Sequence, residues 1–520
     1  MRISDYFDAT AARLPQNAAV IEGDTRVDFA EAQAFVHAVA HALDREPGLR
    51  KGAHVALYAP NHHRIPLLLL AINRADMVWL SAHTRNPVEV NVEVLGFMDC
   101  EFVFFHSACE HLVPQLKAGL SKVVRFVCID RPSEYGVLLD DGIADCRRPY
   151  AAGLEDPMAA CFIQPTGGTT GPSKAAVHTN RGMELSFFAG REAMEYDSQS
   201  RYLAVAPLTH AGGISALHTL LSGGCCVVIN MTDPGQVFDA IERWGITHLF
   251  LPPTVVYLLM GLPRAQTTDF SSLRYLIAAA SPFAPEKIVE AVGRFGPVVC
   301  QAFGQTESGF PTTFMSPREI AEAVADPARR HRLLSCGRPT AIVEAMEIMD
   351  ENGRILGPNE TGEVVLRGPT MMSRYLDDDE ATAEIQKFGW HHTGDIGKRD
   401  DDGYFYITDR KRDLIISGGF NIFPFEVESA LMQHPAVQDC AVIGVPDAQW
   451  GEAVKACVQL KPGMKVGADE LIDHAKALIG SMKAPKSVDF VENLPRSPVG
   501  KVLKRELRTP YWEGKARAVS

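Results

Sequence analysis

Hydrophobic positions in residues 1–150 alternate between a helical period and short, strand-like apolar runs. Residues 28–43 carry apolar side chains at the spacing of one helix face, and residues 66–72 are also predicted to be helical. Residues 54–58 and 77–80 are compact apolar runs bounded by polar or turn residues, which is typical of buried strands. Because helices and strands alternate, this region is predicted to be an α/β unit.

The middle of the chain continues this alternation with strands that run into small or polar residues. Strands are predicted at residues 159–163, 202–206, 275–282 and 298–302. Helices are predicted after the first two of them, at residues 182–194 and 214–221.

The last part of the chain has a separate pattern of short helices and strands. Helices are predicted at residues 425–433 and 468–479, and strands at residues 436–444, 455–460 and 487–491. A run of mixed charge at residues 407–413 precedes this unit. Such a run is usually a solvated face, but here it also marks a predicted domain boundary.

The composition fits a globular protein of several domains and argues against some classes of binding partner. The 520 residues are 46% hydrophobic and 22% charged, with a formal net charge of −13. The acidic balance argues against broad nucleic-acid binding, but it leaves room for a locally positive anion site. The 11 cysteines include no CxxC pair and no hydrophobic signal follows Met1, so a cytoplasmic protein is expected. Apolar runs such as residues 65–72 are too short to span a bilayer, so no integral membrane association is expected.

Residues 166–174 read Thr-Gly-Gly-Thr-Thr-Gly-Pro-Ser-Lys and follow a predicted buried strand. Glycines let backbone N–H groups turn toward an anion, threonine hydroxyls add donors, and Lys174 adds a mobile positive charge. The order Ser173-Lys174-Ala175 differs from the Gly-Lys-Ser/Thr of a Walker A motif, which argues against a P-loop kinase. On these residues alone, a polyphosphate cradle and a flexible surface loop are equal alternatives.

Three strand ends carry candidate binding residues. His210 follows the strand at residues 202–206, although a lone histidine is more often structural. Residues 278–280 are three alanines, which either leave room for a flat group or pack tightly against backbone. Residues 303–307 combine an aromatic ring, a glycine, a hydroxyl and a carboxylate, which could stack a base, bind phosphate and hold Mg²⁺.

Five segments, in one order, resemble the adenylate-forming enzymes, a superfamily of acyl-CoA synthetases, peptide-synthetase adenylation domains and beetle luciferases. They are residues 166–174, 303–307, 393–395, 409–419 and 495–501. The resemblance covers nearly the whole chain. It implies an α/β fold with a large N-terminal domain at residues 1–410, built of α/β subdomains plus a distorted barrel. It also implies a small, mobile α+β C-terminal domain at residues 411–520.

The resemblance implies a role for each matching residue. Glu307 would bind Mg²⁺, Asp395 would hold the ribose hydroxyls with help from Arg410, and Lys501 would bridge the carboxylate and the α-phosphate. The implied ATP and AMP site comprises Thr166, Gly167, Gly168, Thr169, Thr170, Gly171, Lys174, Ala279, Ala280, Ser281, Gln301, Phe303, Gly304, Thr306, Asp395, Ile407, Arg410 and Lys501. The implied catalytic residues are Lys501, Glu307, Thr306 and His210, the hinge is Arg412, and the coenzyme A side is Ser417, Gly418 and Gly419.

These residues imply an ATP-dependent carboxylic acid–CoA ligase that uses ATP, Mg²⁺ and coenzyme A. Attack of a carboxylate on the α-phosphate brings anions together, and Mg²⁺ and lysines offset that repulsion. Pyrophosphate leaves, and a thiol then attacks the acyl carbon and expels AMP. In the family the small domain rotates between these steps and exchanges the adenylation lysine for the glycine loop.

The sequence departs from the family pattern at a few positions. Gly167 replaces the more common serine, and Asn180 stands where histidine is common. Ala279 and Ala280 replace the commoner glycines, and Arg412 replaces the aspartate of many hinges. No essential charge is lost, so activity is still expected and the effects are expected on rate and ATP affinity.

The acid is expected to lack an α-amino group. Amino-acid-activating relatives pair that group with an aspartate near His210, but residues 208–213 contain no acidic side chain, and an unpaired buried ammonium is costly. The acyl-pocket candidates are His210, Ala211, Gly213, Ala278, Ala302 and Gly309. Their small size suits an aromatic, alicyclic or medium-chain fatty acid.

Free coenzyme A is the expected acceptor, because the chain ends soon after Lys501 without room for a carrier domain. Two alternatives remain open at this point, namely an adenylating enzyme with another acceptor and a non-catalytic homologue that binds nucleotide or acyl groups. A homodimer is an open alternative to a monomer.

Overall fold

The computed structural model describes residues 1–146, 148–151, 153, 156–166, 174–410, 413–497 and 502–513. Within these ranges the protein is a mixed α/β structure with a large N-terminal part and a smaller C-terminal part, so the predicted fold class is confirmed. The boundary between residues 410 and 411 stays a prediction.

The larger of the two main sheets has nine strands, and its centre is parallel. In sheet order the strands are Arg338–Pro339, Gly309–Met315, Val299–Gln305, Tyr275–Ala278, His248–Leu251, Arg201–Ala204, Cys225–Val228, Ala18–Glu22 and Thr25–Asp28. The pairs from Val299–Gln305 to Ala18–Glu22 are parallel, and both edges of the sheet are antiparallel. Parallel strands bring their carboxyl ends to one edge, where open α/β sheets bind ligands.

The second main sheet has eight strands. In sheet order they are Arg374–Tyr375, Lys174–Thr179, Ala160–Thr166, Val78–Leu80, His54–Tyr58, Phe102–Phe105, Arg125–Cys128 and Val137–Leu138. Lys174–Thr179 is antiparallel to both neighbours, and the remaining pairs are parallel.

Two smaller sheets follow in the chain. The first is antiparallel, stands where the distorted barrel was expected, and consists of Ala345–Met349, Gly362–Arg367, His391–Arg399 and Phe405–Arg410. The second belongs to the C-terminal part and consists of Phe420–Ile422, Ile415–Ser417, Gly451–Leu460 and Val437–Asp447, with Ser487–Phe490 parallel to Gly451–Leu460.

Helices flank all of these sheets. The α-helices are Ile3–Arg13, Phe29–Arg45, Arg64–Arg74, Val88–Phe97, Val113–Gly119, Leu139–Ile143, Asn180–Ala193, Ala211–Leu221, Gly235–Trp244, Pro253–Met260, Pro285–Phe295, Pro317–Ala325, Asp379–Ile385, Pro424–Leu431, Ala468–Lys483 and Lys504–Trp512. Short 3₁₀ helices are Ser107–Leu112, Pro263–Gln266, Pro327–Leu334 and Lys387–Gly389. No helix in the described ranges is long and apolar enough to cross a membrane.

The main core lies between the two large sheets, around the helix Arg64–Arg74. Its residues 67–72 are all apolar and at most 3% exposed, as expected for a helix that is surrounded by protein. The same hydrophobic cluster contains Trp79 from the eight-stranded sheet and Tyr202 from the nine-stranded sheet. This packing fixes the two sheets against each other and therefore fixes the relative positions of their strand ends.

Candidate active site

A cleft of about 2290 Å³ lies between the large N-terminal part and the small C-terminal part. Its walls come from both parts, including Asp439 and Lys504 of the C-terminal part. It also contains most of the described residues that the sequence predicted for the site. These are Thr166, Lys174, His210, Ala211, Ala278, Ala279, Ala280, Ser281, Gln301, Ala302, Phe303, Gly304, Thr306, Glu307, Gly309, Asp395, Ile407 and Arg410.

Glu307 and Lys174 meet at one side of the cleft through Tyr375. The Tyr375 hydroxyl donates to Oε1 of Glu307 over 2.9 Å, and the Lys174 ammonium lies 5.2 Å from the centre of the Tyr375 ring. Burial and the adjacent Glu307 carboxylate raise the pKa of Tyr375 above its ordinary value. The phenol therefore stays protonated and holds the carboxylate in place, next to a lysine charge.

Asp395 and Arg410 face each other across two antiparallel strands, His391–Arg399 and Phe405–Arg410. Nε of Arg410 lies 2.6 Å from Oδ1 of Asp395, and the Gln305 amide donates to Oδ2 over 2.6 Å. Asp395 is 2% exposed, so its charge is compensated by these two donors.

The wall between these two groups is formed by the strand Val299–Gln305. Residues of one face alternate along a strand, so Gln301 and Phe303 lie on the same side. The Gln301 amide is held by the carbonyl oxygens of Leu333 and Ser335, at 3.4 and 3.3 Å. The strand bulges at Gly304, where a Cβ atom would lie 2.5 Å from the carbonyl oxygen of Gly309. Glycine is therefore required at this position.

Ala280 lies next to this wall and has a φ of +74°. A residue with a Cβ atom in this left-handed region loses roughly 1–2 kcal/mol relative to an ordinary conformation. Glycine would adopt the same φ without that cost, which is a physical reason for the glycine that is commoner at this position in the family. Ala279, its neighbour, is buried and of normal conformation.

His210 lies at the other end of the cleft, at the start of the helix Ala211–Leu221. The Gln164 amide lies 2.6 Å from Nε2 of His210, and the ring of His83 is 5.2 Å away, centre to centre. Burial, and to a lesser degree Arg85, lower the pKa of His83 to about 4, so His83 is neutral near pH 7. A neutral imidazole therefore lies beside His210, although Arg85 also lines this end of the cleft.

Apolar side chains surround the His210 end of the cleft. Phe250 and Phe310 pack edge to face at 5.7 Å between ring centres, and Ile214 and Met231 also line the space. Gly213 does not line the cleft, because its Cα faces the carbonyl oxygen of Leu208 and allows the helix to pack closely there. This end of the cleft is therefore shaped for an apolar ligand with few polar substituents.

Comparison with known proteins identifies the family. The model for "AMP-binding enzyme" matches residues 7–376, and the model for "AMP-binding enzyme C-terminal domain" matches residues 426–501. This chain belongs to the AMP-binding enzyme family.

Similar members of the AMP-binding enzyme family act on different acids. The chain is 37% identical over 379 residues to the medium/long-chain-fatty-acid–CoA ligase FadD8 of Mycobacterium tuberculosis, covering 72% of this chain and 65% of that ligase, just under two thirds of its length. It is 33% identical over 499 residues to a feruloyl-CoA synthase of an Amycolatopsis species, covering 96% of each chain. Among solved structures, the amide bond synthetase McbA of Marinactinospora thermotolerans aligns with a TM-score of 0.88 and 30% identity, covering 98% of this chain and 100% of that one.

Family membership and these relatives confirm the predicted enzyme class, an AMP-forming acid–thiol ligase. Not every predicted residue can be located in this AMP-binding enzyme. Gly167, Gly168, Thr169, Thr170, Gly171, Arg412 and Lys501 lie outside the described residues. The described ends of the predicted phosphate loop, Thr166 and Lys174, are paired on adjacent strands and both line the cleft.

The predicted coenzyme A side lies apart from the cleft. Ser417, Gly418 and Gly419 form the tip of the hairpin between Ile415–Ser417 and Phe420–Ile422, and the Gly418 N–H donates to the carbonyl oxygen of Trp450 over 2.8 Å. A Cβ atom on Gly418 would lie 2.6 Å from the Trp450 ring. In this arrangement of the two parts, the glycine hairpin does not contribute to the cleft.

Sequence reasoning missed three residues that hold cleft residues in place. Tyr375 and Gln305 position Glu307 and Asp395, and Nε2 of His178 lies 2.7 Å from the carbonyl oxygen of Thr306. Gln305 sits inside the recognised segment and could have been found from strand alternation. Tyr375 and His178 lie 68 and 128 residues away from their partners, so only the sheet pairing reveals them.

Proposed function

We propose that this AMP-binding enzyme forms an acyl-adenylate from a carboxylic acid and ATP in the described cleft and then transfers the acyl group to coenzyme A. The observation that carries the proposal is the grouping of Lys174, Glu307, Asp395 and Arg410 around one cleft that has an apolar end at His210. A single ligand with phosphate, ribose and acyl parts would match the order of charged and apolar groups along the cleft.

The phosphate end of the proposed site uses Lys174 and Glu307. Lys174 is a cation for the phosphate oxygens, and Glu307 is an oxygen ligand of the type that Mg²⁺ prefers. One carboxylate together with phosphate oxygens fits the ligand set that Mg²⁺ takes in nucleotide sites. Bound there, Mg²⁺ would offset negative charge on the phosphates. Tyr375 keeps the Glu307 carboxylate oriented before substrate arrives.

The nucleoside end of the proposed site uses Asp395, Arg410 and Phe303. Asp395 accepts hydrogen bonds from Gln305 and Arg410, which hold its carboxylate in place, and a carboxylate is an acceptor suited to ribose hydroxyls. Phe303 supplies an aromatic face for the base, and the small Ala279 and Ala280 leave space beside it.

The acid would lie at the His210 end with its carboxylate toward the α-phosphate. A substrate without an ammonium group is supported by the apolar lining and by the absence of an acidic residue in residues 208–213. We propose an aromatic, alicyclic or medium-chain fatty acid. Apolar contacts discriminate by only about 1–3 kcal/mol per group, so several acids are expected to react.

The acceptor is proposed to be coenzyme A, reached after rotation of a domain that begins near residue 411. The glycine hairpin at residues 417–419 lies away from the cleft, which is consistent with a structure in the adenylation arrangement. The relative McbA is named an amide bond synthetase, so an amine acceptor is the second candidate.

A pyrophosphate-release assay over a panel of acids, with and without coenzyme A, tests this proposal. We expect release with aromatic, alicyclic or medium-chain acids and acyl-CoA formation when coenzyme A is added. Release without thioester, together with amide formation from an added amine, would favour the second candidate. No release with any acid would overturn both.

Lys501 provides a sharper test of the two-step order. We expect Lys501→Ala to abolish adenylation but to retain thioester formation from supplied acyl-adenylate, because the lysine acts only in the first step. Lys465→Ala, at an exposed lysine of the same domain, is the matched control and should retain both steps. Equal loss of both half-reactions in Lys501→Ala would contradict the assigned role.

A further inference from the structure

Glu22, His62 and His63 form a cluster outside the cleft, where strands of the two large sheets end. Glu22 is the last residue of Ala18–Glu22 in the nine-stranded sheet. His62 and His63 lie in the turn between the strand His54–Tyr58 of the eight-stranded sheet and the helix Arg64–Arg74. The three side chains therefore connect the two sheets, next to the hydrogen bonds that Asn61 makes to the backbone of Ala204 and Leu208.

The potential ligand atoms of this cluster have the separations of a metal site. Nδ1 of His63 lies 2.8 Å from Oε2 of Glu22, Nε2 of His62 lies 3.8 Å from the same oxygen, and all three atoms are within 4.8 Å of one another. Zinc bonds of about 2.0–2.1 Å at tetrahedral angles place neighbouring ligand atoms roughly 3.3 Å apart. A change of about 0.5 Å in each of the two His–Glu distances would bring them to that separation.

The surroundings are compatible with a bound cation. The His62, His63 and Glu22 side chains are 12%, 18% and 24% exposed, so an ion can enter from solvent and keep a water as its fourth ligand. The neighbouring Arg64 is paired with Asp140, its Nη2 donating to Oδ2 over 3.1 Å, and it also donates to the carbonyl oxygen of Ile129. The Asp140 carboxylate therefore offsets part of the Arg64 charge beside the cluster.

We propose that Glu22, His62 and His63 bind a Zn²⁺-type transition-metal ion. Two imidazole nitrogens and one carboxylate oxygen suit Zn²⁺ better than Mg²⁺ or Ca²⁺, which prefer sets of oxygen ligands. The ion would connect the end of the strand Ala18–Glu22 in the nine-stranded sheet to the turn after the strand His54–Tyr58 of the eight-stranded sheet. Its binding therefore stabilises the folded protein, by an amount that rises with the zinc concentration relative to Kd.

Zinc binding to chelator-treated, full-length enzyme tests the proposal by calorimetry and by thermal unfolding. We expect one Zn²⁺ per chain to be bound by the wild type and by His111→Asn, a control at an exposed histidine. We expect affinity to fall by more than ~10-fold in Glu22→Gln and in His63→Asn, because each lacks a ligand. The zinc-induced rise in Tm should disappear in the same two variants.

Pyrophosphate release with a carboxylic acid substrate, measured without zinc, checks that the variants are folded. Glu22, His63 and His111 do not line the cleft, so this activity should be retained. Equal zinc affinity and equal Tm shift in the wild type, Glu22→Gln and His63→Asn would overturn the proposal. Absence of zinc binding to the wild type would also overturn it. Loss in both ligand variants, with retention in His111→Asn, would support it.

Discussion

Replacing Lys504 with methionine is expected to destabilise the small C-terminal part of the enzyme. Nζ of Lys504 lies 2.8 Å from Oε1 of Glu428, and the same oxygen accepts from the Val442 N–H over 2.7 Å. Burial opposes the lysine charge, but Glu428, Asp409 and Asp413 hold the pKa of Lys504 above its ordinary value. One lysine therefore compensates several carboxylates at the junction between the two parts.

The expected loss follows from the burial of this ion pair. Removing one partner of a buried pair costs about 3–5 kcal/mol, because the other charge is left uncompensated. The Lys504 and Glu428 side chains are still 19% and 15% exposed, so the lower end, about 3 kcal/mol, applies. Glu428→Gln should cost less, about 1.5 kcal/mol, because Asp409 and Asp413 remain near the lysine.

Urea unfolding of the single and double variants measures these free energies. The loss in the Lys504→Met/Glu428→Gln double variant should be smaller than the sum of the single losses, by at least about 1 kcal/mol. Lys476→Met breaks the exposed pair with Asp473 and serves as the control, with an expected loss below about 1 kcal/mol. A free-energy loss in Lys504→Met no larger than that in Lys476→Met would show that the buried lysine does not compensate these carboxylates.

Three further changes have expected outcomes. Burial lowers the pKa of His218 from 6.5 to about 4. Between these two pH values the unfolded chain binds a proton at His218 and the folded protein does not. The free energy of unfolding therefore falls as the pH drops from 6.5 to about 4. His218→Gln should remove about 3 kcal/mol of this acid sensitivity, measured by urea unfolding at both ends of this pH range. Tyr375→Phe loses the hydrogen bond to Glu307, worth about 1.5 kcal/mol, and should raise the Mg²⁺ concentration for half-maximal pyrophosphate release ~10-fold. Gly304→Ala places a Cβ atom against a carbonyl oxygen and should lower Tm and ATP affinity, whereas Gly293→Ala, in an open helical position, should raise Tm.

The spacing of hydrophobic residues predicted the helices and strands well, because it reflects which side chains are buried in the folded protein. The helix predicted at residues 28–43 is Phe29–Arg45, and its start is fixed by Asp28, which accepts from the Glu31 N–H over 2.8 Å. The strand predicted at residues 298–302 extends to Gln305. Antiparallel pairing with Gly309–Met315 continues the strand past residue 302. Such pairing depends on distant chain segments and is not recorded in a local pattern.

The candidate site was predictable only as far as its residues form contiguous segments. Residues 303–307 were found because that segment carries several functional groups together, and residues 393–395 were found through the family resemblance. Tyr375 could not be found in this way, since its contact with Glu307 depends on pairing of the short strand Arg374–Tyr375 with Lys174–Thr179. Lys504 was also missed, because its partner Glu428 lies on another helix.

The most direct test of the central chemistry follows oxygen from the acid to AMP. The acid, labelled with ¹⁸O in its carboxylate, is converted with ATP, Mg²⁺ and coenzyme A, and the products are examined by mass spectrometry. If the carboxylate attacks the α-phosphorus and AMP is later expelled by the thiol, AMP acquires one ¹⁸O atom and pyrophosphate none. Label in inorganic phosphate, with ADP as the nucleotide product, would show an acyl phosphate instead and would contradict this account.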